Sequence, residues 1–293
     1  LPINTFLTSA HVTERNNCLN SRLESLNSQI GLTNLIRPNW QDQPLAGDIR
    51  ARKRLLMSMK SDQVANALIG DVLNGQYRAG ERLPSERDLV ARFDANRGAV
   101  REAMAKLVQL GLVEVHPGGA RVRERELASL DVIGYLLAQR DLPDPILVDQ
   151  ILLVMNSMVS LAAMQVLENA NDDTIADIRA LLRPLMRLTT SDTEHGEARF
   201  ALMKHIMLAS KNLPLQLIAR TLVEQFAPNI SAVADYATPD RERYAIYARQ
   251  LDMALTDRDM PALRGTFDAF IELNRETMTR AFMLAQGGQE ALA

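Results

Sequence analysis

Cysteine is almost missing: Cys18 stands alone in 293 residues. That excludes an internal disulfide, and with no CxxC pair it excludes a thiolate metal centre or a dithiol redox site. Aromatic residues make up only 4% of the chain, and 14 glycines and 12 prolines are few for its length. A sheet-rich or turn-rich protein needs more of all three, so a mostly helical protein with little sheet is expected. Excess charge is missing too. Lys and Arg number 33 against 36 Asp and Glu, a formal net charge of -3, which rules out a uniformly basic coat for nucleic acid but leaves room for a local basic surface. The opening stretch LPINTFLTSAHVTERNN has neither the basic flank nor the sustained apolar core of a secretory signal, so no export and a cytoplasmic location are expected. The most apolar run, Ile146 to Leu167, has about the length of a bilayer crossing. Asp149, Gln150 and Asn156 interrupt it, so it is expected to be a long buried helix rather than a membrane span. No Ser/His/Asp set, HExxH, P-loop or dinucleotide fingerprint is recognisable, and the chain is not expected to be an enzyme.

Against these absences stands enough apolar material, 47% of residues, for the cores of two domains. Residues 1–58 show no sustained periodicity and are expected to form an irregular N-terminal extension. Within them, the basic stretch starting at Asp48 and ending at Lys60 suits either a solvated linker or a contact along a nucleic-acid backbone. Regular patterning starts at Ser61, a candidate cap, with Val64, Ala67, Leu68 and Val72 on one helical face and a stop at Asn74-Gly75. Ser85, with Asp88 three residues on, reads as the capping box of a second helix whose buried side is Leu89, Val90 and Phe93. After a turn at Asp94 to Asn96, Asn96 caps a third helix. Its Val100, Ala103, Met104, Leu107 and Val108 follow the spacing of a buried stripe, leaving Arg97 and Arg101 on another face. Gly111 ends that helix, and two short strands follow around His116-Pro117-Gly118-Gly119. Helix, helix, turn, helix and hairpin make a winged helix-turn-helix over residues 59–125.

Such a unit reads DNA by burying one face of its third helix while the first turns of that helix reach base edges in the major groove. Asn96, Arg97 and Arg101 occupy those turns, and arginine can donate two hydrogen bonds to guanine. Arg87 is placed for the backbone, and the wing residues Gly118, Gly119 and Arg121 for the adjacent minor groove, glycine allowing close main-chain approach.

The stretch LNGQYRAGERLPSERDLVARFDANRGAVREAMAKLVQLGLVEVHPGGARV resembles the GntR family of bacterial transcription regulators, most specifically through LPSER and VREAM. The resemblance implies DNA contacts at Arg87, Arg97 and Arg101. Asn96 stands where the family usually has Ser or Thr, followed by Gly98 and Ala99, so an operator of different sequence is expected.

From residue 126 to 286 the pattern is one of successive amphipathic helices with short breaks, expected to pack as an antiparallel bundle, and residues 287–293 as a tail. ALMKHIMLASKNLPLQLI is similar to a stretch of the FadR-type subfamily, with its helical FCD effector domain, through Ala209, Ser210, Asn212 and Leu215. Many members of that subfamily hold a metal through one Asp and three His. The resemblance puts Arg199, Met203, Ala248 and Phe270 at those positions, none a suitable ligand, so no metal and no other cofactor is expected. His195 and His205 lie nearby but are expected to have surface or capping roles. The same alignment turns Ile151, Met155, Met203, Ala248 and Phe270 inward beside Arg199. That lining is either packed core or a site for an amphipathic effector, such as a fatty acyl chain or another carboxylate received by Arg199. The resulting expectation is a homodimeric repressor bound to double-stranded DNA at a palindromic operator and released by a small molecule, with no membrane partner. The other reading open to the sequence is a constitutive DNA-binding protein whose bundle only dimerises.

Overall fold

The helix expected from Ser61 begins earlier in the computed structural model, which describes residues 49–189 and 191–290. The first helix among the described residues, α1, is Ile49–Leu73. No glycine or proline interrupts residues 49–60, and Ser61 is buried within the helix rather than capping it. The expected extension over 1–58 is therefore helical from residue 49 on, and its earlier part lies outside the described residues. The remaining elements of the first part are α2 (Glu86–Phe93), α3 (Arg97–Gln109), β1 (Val113–His116), β2 (Gly119–Val122) and α4 (Val132–Leu137). The second part comprises α5 (Pro145–Asn169), α6 (Asp172–Leu182), α7 (Asp192–Ala209), α8 (Leu213–Phe226), α9 (Ser231–Ala234), α10 (Arg241–Asp257) and α11 (Met260–Glu290). Short 3-10 turns follow β2, α6 and α8. The fold is mostly α with one antiparallel hairpin, as the composition implies.

The chain divides into two compact units. Among the described residues one holds 49–148 with 220–232, and the other holds 149–219 with 233–290. Residues 126–148 thus cluster with the winged helix rather than with the bundle.

In the first unit α3 is the central element, packing on α1, α2 and β1. Its buried stripe is Ala99, Val100, Ala103 and Leu107. Val108, expected in that stripe, is 42% exposed, because one residue beyond Leu107 the helix has turned about 100° away. The same step exposes Ala67 on α1, where Val64, Ala65, Leu68, Ile69 and Val72 supply the core. Gly111 stops α3 with φ 72°, and any β-carbon there would lie 2.8 Å from the Leu127 carbonyl oxygen. The hairpin pairs Val113 with Val122 and His116 with Gly119, and Leu112, Val113 and Val122 close the core.

In the second unit α10 packs along α11 and α6, and α7 against α6. Arg258, left-handed at φ 50°, ends α10, and its guanidinium donates to the carbonyls of Leu167 and Ala170, both at 3.0 Å, where α5 runs out. Arg179 grips Asp252 with both arms, at 2.7 and 3.2 Å, tying α6 to α10. Helix α5 differs from its expected burial. It is long and apolar enough to cross a membrane by length and composition, and only 22% of its most apolar stretch is buried. One face, with Ile151, Met158, Ala162 and Val166, is core, whereas Leu153, Val154 and Leu161 are exposed. Asp149 on this helix is paired to Arg275 of α11 at 2.7 Å, as on an amphipathic helix of a bundle.

Candidate nucleic-acid interface and ligand cavity

Local chemistry sets the ends of the helices in the helix-turn-helix. Ser85 opens α2 as a reciprocal capping box: its hydroxyl receives the Asp88 N–H at 3.3 Å and donates to the Asp88 carboxylate at 2.6 Å. That hydroxyl, helped by the Ser85 backbone N–H, holds the Asp88 carboxyl below the usual carboxylate range. Asp94, left-handed at φ 43°, closes α2, and Asn96 opens α3 by accepting the Ala99 N–H at 2.9 Å. Arg92, on the surface, pairs with the buried Asp71 at 2.7 Å and lies over the Phe93 ring. It braces α2 against α1, a role that sequence spacing did not disclose.

With Ala99, Val100, Ala103 and Leu107 buried, Arg97 and Arg101 stand outside. The Arg101 side chain is 69% exposed and donates Nε to Glu86 at 3.0 Å. Arg87 is freer still, 3.9 Å from Asp88 and almost wholly exposed. In the wing, Gly118 is exposed and a β-carbon there would meet nothing within 4 Å. Gly119 is different: φ is 117°, and the space a β-carbon would fill is taken by the Arg82 guanidinium. The close approach at Gly119 is thus made by the chain's own side chain. Arg121 is exposed, and its Nη1 donates to the Gly80 carbonyl at 2.7 Å. All seven DNA-contact residues read from the sequence belong to one unit, on α2, the start of α3 and the hairpin.

The second unit has a cavity of about 440 Å³, open to solvent, among α5, α7, α10 and α11. Arg199, Met203 and Phe270 line it, as the sequence alignment implies. Ile151, Met155 and Ala248 do not: Ile151 and Ala248 are buried core, and Met155 is half-buried outside the lining. On α5 the lining residues are Asn156 and Val159 instead, roughly a quarter turn around the helix. On α10 they are Tyr244 and Leu251, while Ala248 carries only a methyl group.

The polar end of the cavity is a relay. Arg199 Nη2 donates to Asn274 Oδ1 at 3.3 Å, and Asn274 Nδ2 donates to Asn156 Oδ1 at 3.2 Å. The Arg199 guanidinium also lies over the Tyr244 ring, 5.3 Å from its centre. Burial pushes the Tyr244 hydroxyl up from its ordinary pKa. No carboxylate among the described residues is paired with Arg199. The positions that would carry metal ligands in the resembling subfamily hold Arg199, Met203, Ala248 and Phe270, which do not fit a metal, and no cluster of three or more His, Cys, Asp or Glu suited to one occurs among the described residues.

His195 departs from its expected surface or capping role. It is 1% exposed, its ring packs edge-on to Tyr244 at 4.7 Å, and neither ring nitrogen has a hydrogen-bond partner. Burial first, then the charges of Arg199 and Arg241, against the opposing charge of Asp192, lower its pKa from 6.5 to about 4. A single histidine on a helix carries no sequence signal for burial, which depends on what the other helices place against it. His205 is half-buried and outside the cavity lining.

The geometry of the first unit is that of a winged helix-turn-helix with basic side chains on the outer face of its third helix. Residues 60–129 match the model of the bacterial regulatory proteins of the gntR family, and they form a GntR-family DNA-binding domain. An uncharacterized HTH-type transcriptional regulator of Mycobacterium tuberculosis is 26% identical over 75% of this chain and 90% of its own length. The HTH-type transcriptional repressor NanR of Escherichia coli is 35% identical over 108 residues, 36% of this chain and 41% of NanR. Among solved structures, Lar, described as controlling expression of the Listeria monocytogenes agr system, superimposes with a TM-score of 0.46 at 18% identity, over 76% of this chain and 97% of that one.

Proposed function

We propose that this protein is a homodimeric transcription repressor of the GntR family that binds a palindromic operator and releases it when a small molecule enters the helical unit. The observation carrying the DNA half is α3 itself: its inner face is core while Arg97 and Arg101 stand outside within its first two turns. Arg97, Arg101 and Asn96 read base edges; Arg87 and the wing, with Gly118 and Arg121, hold the backbone and the minor groove beside it. The exposed Leu153, Val154 and Leu161 on α5 support a second copy of the chain as the partner that covers this face.

The bundle is read as an FCD-like effector domain of the FadR type, working without a metal. Its cavity sets Arg199, which has no carboxylate partner among the described residues, against an aromatic and aliphatic wall that includes Met203, Ile206, Phe267 and Phe270, with Asp192 and Glu197 also in the lining. Such a site suits an amphipathic carboxylate, bound more tightly by the arrangement of the dimer that cannot hold DNA. The protein acts in the cytoplasm.

Selection of bound duplexes from a random pool tests the DNA half: an inverted repeat is expected, and enrichment of no sequence removes it. Thermal shift with short and medium-chain carboxylates, their neutral amides and divalent metals tests the other half. Carboxylates should stabilise the wild type and not Arg199→Met. Stabilisation by zinc or manganese alone would contradict the metal-free site, and no shift with any ligand would leave a constitutive DNA-binding protein whose bundle only dimerises.

A further inference from the structure

The wing holds a second guanidinium for which the recognition helix gives no reason. Arg82 precedes α2 and lies outside both strands of the hairpin, yet its backbone forms an antiparallel bridge with Arg121. On either side of it, Val122 N–H donates to the Glu81 carbonyl and Leu83 N–H to the Ala120 carbonyl, both at 2.9 Å. Residues 81–83 thus run as a short third strand along the free edge of β2. That pairing aims the Arg82 side chain at the end of the hairpin, where a β-carbon on Gly119 would stand 2.6 Å from Nε and 3.0 Å from Nη2. Glycine at 119 answers two needs: a φ of 117°, and a flat seat for a guanidinium.

The charge of Arg82 is also uncommitted. Arg92 is paired to Asp71 and Arg101 to Glu86, and Arg121 donates to Gly80, but no carboxylate among the described residues pairs with Arg82, which is exposed. Since an arginine held against backbone has fewer rotamers to lose on binding, this one is prepared for an external anion.

We propose that Arg82 is a phosphate-contacting residue of the wing and that Gly119 exists to seat it. The inference rests on residues 60–129 being the DNA-binding unit. Each neutralised phosphate releases condensed counterions, so one contact contributes about 0.9 to the slope of log affinity against log salt.

The experiment uses the full chain and duplexes it selects from a random pool, with affinity read by fluorescence anisotropy between about 50 and about 200 mM salt. Wild type is compared with Arg82→Gln, Arg82→Lys and Arg101→Ala, and melting temperatures are recorded alongside. Arg82→Gln should weaken binding to selected and scrambled duplexes by the same factor, make the slope shallower by about 0.9, and leave melting unchanged; Arg82→Lys should restore the slope. If Arg82→Gln lowers melting as well, the slope in Arg82→Lys decides, because a purely structural role needs the guanidinium shape and not the charge. A wild-type slope in Arg82→Gln, while Arg101→Ala loses preference for the selected sequence, would place Arg82 outside the interface with the DNA-binding reading intact. Absence of salt-dependent binding by the wild type to any duplex would overturn both.

Discussion

Acidification from pH 6.5 towards pH 4 should loosen the helical unit through one residue, His195. In the unfolded chain its imidazole takes up a proton near 6.5, whereas in the folded unit burial, Arg199 and Arg241 hold that step down to about 4. A group whose pKa is lowered by folding contributes its full stability above the unfolded value and loses it as pH falls towards the folded value. Each unit of separation is worth about 1.4 kcal/mol, so the loss approaches about 3 kcal/mol by the time the folded ring protonates, and then levels off. Most carboxylates titrate below about pH 5, so the informative interval is the upper part, from about pH 7 to about pH 5, where close to 2 kcal/mol should disappear. Scanning calorimetry of wild type and His195→Leu across that interval reads the difference directly. The variant removes an imidazole whose two nitrogens have no partner, so its stability should be nearly flat with pH and no lower than wild type at the acid end. Parallel loss of stability in the two proteins would refute the reasoning, since the titrating group would then lie elsewhere.

Arg101→Ala should weaken binding at the preferred DNA site by about 1 to 3 kcal/mol and relax the choice of one base, whereas equal weakening on all sequences would reduce Arg101 to a backbone contact. Glu86→Gln removes the carboxylate that Arg101 must leave to reach DNA. An exposed ion pair is worth at most about 1 kcal/mol, so affinity should rise by up to about fivefold, and a fall would mean that Glu86 itself positions Arg101 on the duplex. Gly119→Ala should destabilise the wing by about 1 to 3 kcal/mol through its backbone angle alone, and displace Arg82 as well; an unchanged melting temperature and unchanged DNA affinity would argue against both.

The parts of this protein legible from residue spacing are those decided within a few residues. The capping box of Ser85 and Asp88, the Asn96 cap, the stop at Gly111 and the turn of the hairpin each use groups that are neighbours along the chain. Their order leaves little choice but a winged helix, and Arg97 and Arg101 emerge from it because the alternate face of α3 is apolar. Residue spacing does not place a helix face to within a fraction of a turn. The spacing puts Val108 in the core, where it is exposed, and the alignment puts Ile151 and Met155 at the cavity, which Asn156 and Val159 line instead. One residue rotates the face by about 100°, and an alignment to a resembling family cannot hold register more tightly than that.

Chain-local chemistry therefore determined that this protein has a DNA-binding winged helix and which turn of it faces outward, because caps, breakers and apolar period act over three or four residues. Tertiary packing alone decided that His195 is enclosed without a partner, that Arg199 ends a relay through Asn274 to Asn156, and that Arg82 reaches across to Gly119. Each of these brings together residues that are distant in sequence, and their placement depends on helices or strands whose approach no local pattern encodes.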